Sequence, residues 1–210
     1  PHMDTVMKKL SELKFYMQTI QKSPEPSQTA LKAIMAELNL ERTNPTVDLK
    51  RLANEMAEPL STQLNKVADE AWTLELKTAL SEINALWNRN VYGFYKSRIA
   101  NRYPLNRKAS ENISLDDFRE FFGPNGRVQR FYNDYLKFFL EDNAELSVVN
   151  AESVISSSFL AALQDLQNIQ RNYFDASGNV NISFSLKPLG LSGKFTASTF
   201  NIDGQLLKYS

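Results

Sequence analysis

The sequence predicts a mainly α-helical protein, a multi-helix bundle followed by a small antiparallel β-subdomain. Three observations predict it. Apolar residues recur at steps of three and four over the first two-thirds of the chain, which places them on one buried face per helix. After residue 175 the period changes to two, as a half-buried strand requires. Near the end, Asp203-Gly204 stands between β-type residues and signals a two-residue hairpin. The reading divides the chain into residues 1–3, whose Pro-His-Met has the look of a cloning scar, a helical bundle over 4–175 and a partial β-subdomain over 176–210.

The elements follow in order. Val6, Leu10, Leu13, Met17 and Ile20 form the stripe of a first helix, which "KSPEPS" stops because proline removes a donor and restricts the residue before it. Ser27 is expected to cap a second, short helix carrying Leu31, Ile34, Met35 and Leu38. After "ERTNPT" the helical pattern is nearly continuous from Val47 to Ile99, with Pro59 at a restart. Its expected faces are Leu49, Leu52, Ala53 and Met56, then Leu60, Leu64, Val67, Ala71 and Leu74, then Leu80, Ile83, Leu86, Trp87 and Val91. A helix of that length suits the spine of a bundle.

Ser114 is expected to cap the next helix, with Asp116 and Asp117 at the positive end of its dipole and Gly123-Pro124 ending it. Further helices are expected from Gly126 to Leu140 and from Ser153 to Phe174. Val180, Ile182, Phe184 and Leu186 alternate with polar residues as one strand, and residues 193–202 form a second. The chain then stops one strand into an unfinished sheet, which must lean on the helices or on a partner.

Composition narrows the chemistry. Lys+Arg and Asp+Glu balance at 24 each, so no whole-chain field favours nucleic acid or anionic lipid. There is no cysteine, and the single histidine lies in the scar, so thiol or histidine nucleophile pairs and thiolate or histidine metal sites cannot be assembled. No phosphate-binding glycine loop occurs. Asp116 and Glu120, four apart on one helix face, are the remaining candidates for a carboxylate pair, as in a wall-polysaccharide hydrolase. A solvated helix start with Arg119 beside it is the favoured explanation of both. Lys96, Arg98, Arg102, Arg107 and Lys108, interleaved with Tyr95 and Tyr103, form a local basic cluster, for which a helix C-terminus plus a polar loop is favoured over nucleic-acid binding. The aromatics from Trp87 to Phe139 recur at helical spacing and read as core.

The stretch from "LWNRNVYGFYKSRIANRYPLNRK" through "LDDFREFFGPNGRVQRFYNDYL" resembles the C-terminal region of the IcmF/TssM family. The residues that carry the resemblance are Trp87, Val91–Phe94, Arg102-Tyr103-Pro104-Leu105, Ser110, Asp117-Phe118, Phe121-Phe122, Pro124, Gly126 and Phe131-Tyr132 through Leu136. It continues into "ISFSLKPLGL" and "FNIDGQLLKY", which includes Asp203 and Gly204. It covers residues 75–210, with 4–74 matching only as a helical region. The resemblance implies a non-enzymatic, periplasmic part of an inner-membrane subunit of type VI secretion systems, with the Dot/Icm type IVB counterpart as the alternative. It implies no cofactor, no metal and no nucleic acid. It also implies membrane contact only through segments outside this sequence, self-association, and partners of the TssL/DotU kind through the membrane region. An outer-membrane lipoprotein of the TssJ kind would bind the β part. The family's Gly-Pro and Trp-Pro-Gly after "DGQ…Y" lie beyond residue 210, which leaves the β part incomplete. On that expectation Phe195, Phe200, Ile202 and Leu206 are the candidate partner-binding residues.

Overall fold

A computed structural model describes residues 3–38, 43–140, 156–182, 185, 187, 190, 192–202 and 204–209. Its longest element is α4 (Leu60–Trp87), which continues through two wide i→i+5 turns, Asn88–Tyr92 and Tyr95–Ile99. The resulting rod is roughly 60 Å long at 1.5 Å per residue. Its end is defined locally. The Ala100 N–H closes onto Tyr95 O at 2.8 Å, Ala100 turns to an extended conformation, and Asn101 adopts a left-handed φ of 61°. Asn tolerates that region better than most residues.

Three helices pack on the first half of the rod. They are α1 (Met3–Gln21), α2 (Pro26–Leu38) and α3 (Pro45–Asn54). The α2 and α3 helices lie directly on α4, and α1 packs chiefly on α3 and α2. Small residues make the approach close: Ala30 and Ala33 on α2, Ala53 on α3, and Ala68 and Ala79 on α4 are all buried. Val6, Leu13 and Ile20 of α1, Ile34 of α2 and Leu49 of α3 fill the space between. The Asn44 side chain caps α3 by accepting from Thr46 N at 2.8 Å, ahead of Pro45 at the first helical position. Lys9 ties α1 to α3 by donating to Asp48 at 3.0 Å.

Two expectations are corrected here. Ser27 does not cap α2. The helix already starts at Pro26, which places Ser27 inside its first turn, where the hydroxyl donates to Glu82 on α4 at 3.1 Å. On α4 the buried stripe is Leu64, Ala68, Trp72, Leu76, Ala79 and Ile83. Val67 and Leu74, expected inside, are 42% and 45% exposed. Apolar residues flank both sides of that stripe, so periodicity alone leaves the rotation open. Turning Ala68 and Ala79 inward lets the neighbouring backbones come close, and that decides it.

The second half of the rod carries α5 (Leu115–Phe122), α6 (Arg127–Phe131), a wide turn at Tyr132–Leu136 that runs into α7 (Lys137–Leu140), and α8 (Ser157–Tyr173). Ser114 caps α5 as expected, accepting from Asp117 N at 3.0 Å, and Ser156 caps α8. After α8 the Asp175 carboxylate accepts from Ser177 N and Asn179 N, both at 2.9 Å, and folds "DASGN" into a tight return. Phe174 and Val180 then form a single antiparallel bridge. Of the strand expected over Val180–Leu186, the described residues show that bridge: Asn181, Ile182 and Ser185 are not in a strand, and Ser183, Phe184 and Leu186 lie outside the described residues. The second expected strand is present in part, as β1 (Ser198–Ile202), which pairs antiparallel with β2 (Gln205–Tyr209).

The rotation of α4 is open to a direct check. Ile34→Ala should lower stability by about 2–5 kcal/mol, because a fully buried side chain at the α2–α4 contact is removed. Val67→Ala should change it by no more than about 0.5 kcal/mol. Urea unfolding of the two variants measures both, and comparable losses would contradict the burial pattern.

Candidate functional site

The β1–β2 hairpin is the first surface to consider. Gly204 occupies the turn at φ +80°, where a side chain is disfavoured, and Asp203 lies outside the described residues. The register sets Phe200 opposite Leu207 and Ser198 opposite Tyr209. Directly opposed residues share a face and the next residue along lies on the other. Phe200, Leu207 and Tyr209 therefore share one face, and Leu206, opposite Asn201, is on the reverse. The expected set is thus divided: Phe200 and Leu206 do not form one patch, Phe195 precedes β1, and Ile202 pairs with Gln205 at the turn. Phe195, Phe200, Leu206 and Leu207 are all exposed, Phe200 by 49%.

The second region is the joint where α5, α6 and α8 meet the rod. Trp87 stands edge-on to Phe131 with ring centroids 5.1 Å apart and to Phe159 at 5.5 Å, joining α4, α6 and α8. Phe121 stacks on Phe94 at 6.1 Å and meets Phe122 at 4.8 Å, and Phe118 stacks on Phe174 at 5.6 Å. Such contacts add about 0.5–1.5 kcal/mol each beyond the area they bury. Arg127 bridges the same elements. It donates to Asn90 O at 3.0 Å inside the first wide turn and lies 4.5 Å from the Phe94 ring centroid. From α8, the Gln170 amide donates to Phe122 O at 3.1 Å and Gly123 O at 3.2 Å, the carbonyls at the α5 terminus.

Glycine and proline fix this joint. Gly123 is extended, the conformation favoured before Pro124. Gly126 has no space for a side chain: a Cβ there would lie 2.8 Å from Phe121 O and 2.9 Å from Glu120 O. Trp87, Asp117, Phe118, Phe121, Phe122, Pro124, Gly126 and Phe131 are thus brought together. Arg102, Tyr103 and Pro104 lie apart, in the loop beyond the rod. There Arg102 donates to Arg98 O at 2.7 Å and to Glu111 at 3.1 Å.

The carboxylate pair finds a different use. Asp116 accepts from Arg119 at 2.8 Å, and Glu120 pairs with Arg127 and Arg130, both at 3.0 Å. Each acid serves an arginine of its own neighbourhood. A cleft of about 490 Å³ lies elsewhere, between α2, α4 and Tyr135, and neither acid lines it.

A buried polar group was missed in the sequence. The Tyr16 hydroxyl lies between the Glu37 and Glu75 carboxylates in hydrogen-bond contact with both, and Glu75 is fully buried. Burial first, then the Glu75 charge, pushes the Tyr16 ionisation well above its ordinary value, so the phenol keeps its proton. The signal was there to be found: Glu75 and Glu82 are seven apart, inside the apolar stripe Trp72–Leu76–Ala79–Ile83.

The helical joint coincides with a known domain. The sequence model of the Type VI secretion protein IcmF helical domain matches residues 78–179. Over 134 residues the chain is 27% identical to the Type VI secretion system component TssM1 of Pseudomonas aeruginosa. These matches support the IcmF/TssM family for residues 78–179. That alignment covers 61% of this chain and 12% of TssM1, so the chain spans a small part of the curated relative. Two solved structures share the fold over 98% of the chain. One, a Type VI secretion system membrane core complex, has TM-score 0.71, 18% identity and 44% of its own chain covered. The other, a Type VI membrane complex, has TM-score 0.71, 21% identity and 42% covered. The resemblance first seen around Trp87–Leu136 therefore extends, as fold, to the α1–α3 region, where the sequence offered only a helical pattern.

Gly126→Ala tests the joint. It should cost about 1–3 kcal/mol, since three backbone atoms crowd the new methyl group. Gly193→Ala, in open space, should show no loss. Thermal melts of the two variants are the measurement, and an unshifted Gly126→Ala would contradict the packing described.

Proposed function

We propose that this chain is a periplasmic, non-enzymatic structural portion of a type VI secretion membrane complex. In that reading it links an inner-membrane anchor to an outer-membrane lipoprotein of the TssJ kind. One observation carries it: the IcmF helical domain, which ends at residue 179, is followed over 198–209 by a hairpin whose Phe200, Leu207 and Tyr209 share an exposed face. Paired strands of this kind present side chains on one face and open backbone at their edges, and both are used in strand addition and side-chain docking. The relatives, a type VI component and two type VI membrane complexes, support the assignment to such an assembly. Among the described residues no helix is long and apolar enough to cross a membrane, so the anchor in this reading lies outside this sequence. Self-association and contact with a TssL/DotU-like subunit belong to the same proposal.

The reading assigns the helices a mechanical role. Acids that catalysis would need to leave free are committed to Arg119, Arg127 and Arg130, and the aromatics are committed to packing. The hairpin face is then the contact to test, with Phe200 and Leu207 as its opposed pair and Leu206 on the reverse as an internal control. In the full-length subunit, Phe200→Asp with Leu207→Asp should weaken capture of the lipoprotein encoded with the same secretion system at least ten-fold. Leu206→Asp should weaken it less. Equal capture by all three proteins, each with an unchanged circular dichroism spectrum, would sink the hairpin as the contact.

A further inference from the structure

We propose that the loop following the rod, together with the last turn of the rod itself, binds an anionic phospholipid surface. The chain as a whole has equal numbers of basic and acidic residues, yet Lys96, Arg98, Arg102, Arg107 and Lys108 fall together without an acid among them. Arg102 is committed to Glu111 and to the Arg98 carbonyl. Among the described residues none of the other four forms an ion pair. The helix dipole accounts for Lys96 and Arg98, since cations are favoured in a last turn. It does not account for Arg107 and Lys108, which lie beyond the rod's end at Ile99, where the dipole's effect has decayed.

Between the two pairs of cations stand Tyr103 and Leu105, 51% and 55% exposed, with exposed Pro104 between them. Their exposure is built rather than incidental. Tyr103 N–H donates to Glu111 O at 2.9 Å, and Ile113 N–H donates to Tyr103 O at 3.0 Å, so the Tyr103 backbone is fixed on both sides. The turn behind it is closed by Asn106 N–H to Arg102 O at 2.9 Å and by Lys108 N–H to the Asn106 side chain at 3.0 Å. A rigid crest of tyrosine, proline and leucine flanked by cations matches a lipid interface. Aromatic and aliphatic groups sit there at the headgroup level while Lys and Arg meet the phosphates. An acidic protein partner would satisfy the cations, but an ordinary protein contact covers about 800 Å² on each side, and a crest of three apolar residues is small for that.

Each basic residue near an anionic leaflet strengthens binding about five-fold, and the attraction weakens as salt shortens the screening length. Co-sedimentation with vesicles of equimolar phosphatidylglycerol and phosphatidylcholine should retain the protein, and pure phosphatidylcholine should not. Changing Lys96, Arg98, Arg107 and Lys108 together to Gln should weaken binding about a hundred-fold or more. A control changing Lys8, Lys14, Lys22 and Lys66 to Gln alters net charge equally and should weaken it far less. Tyr103→Ser with Leu105→Ser should reduce binding several-fold and make what remains more salt-sensitive. Equal losses in the two lysine and arginine sets would overturn the proposal, because net charge would then be the cause. No effect of the Tyr103 and Leu105 changes would overturn it as well. So would retention on immobilised polyglutamate without vesicle binding, which would identify an acidic protein as the ligand instead. The proposal stands on this loop alone, so its failure and that of the hairpin contact are separate results.

Discussion

One helical rod, Leu60–Ile99, is the constraint on which the other packing depends. Its first half buries a stripe of small and large residues against α2 and α3, with α1 behind them. Its second half supports α5 and α6, and Trp87 extends the contact to α8. Neither half has a core of its own that excludes the rod. Most of a helix's stability in a protein comes from burying its apolar face, so the two groups of helices and the rod stabilise each other. The wide turns at Asn88–Tyr92 and Tyr95–Ile99 fall where one group gives way to the other. Arg127 meets a carbonyl in the first of them.

Much of this arrangement was legible in the sequence, and what escaped it shares a cause. Helix positions, the Ser114 cap, the Gly123-Pro124 break and the Asp203-Gly204 hairpin rest on local rules, and local rules can be read one segment at a time. The rotation of α4 could not, because Val67 and Leu74 are as apolar as Trp72 and Leu76. Only the partner helices decide which set is buried. Ser27 illustrates the same limit: its hydroxyl suits a cap, and a carboxylate 55 residues away claims it. Glu75 and Glu82 were visible as charges inside an apolar stripe, but their partners, Tyr16 and Ser27, belong to other helices. Phe200 and Leu206 are both exposed apolar residues of the hairpin, yet only the register separates Leu206 from Phe200.

These features fit the structural role proposed for the chain. Asp116 and Glu120 are paired with arginines, the aromatics of the joint are interlocked, and exposed apolar residues include those of the crest beyond the rod and of the hairpin. The match of residues 78–179 to the IcmF helical domain gives that arrangement a setting.

The central claim is that the rod makes both helix groups one cooperative unit. The protein carries its own probes, because its two tryptophans, Trp72 and Trp87, lie one in each half of the rod. Urea unfolding of Trp87→Phe, followed by Trp72 fluorescence and by far-ultraviolet circular dichroism, should give a single midpoint for both signals. The same coincidence is expected for Trp72→Phe followed through Trp87. Separate midpoints within either variant would mean that the halves unfold independently, and the rod would then not be the element that unites them.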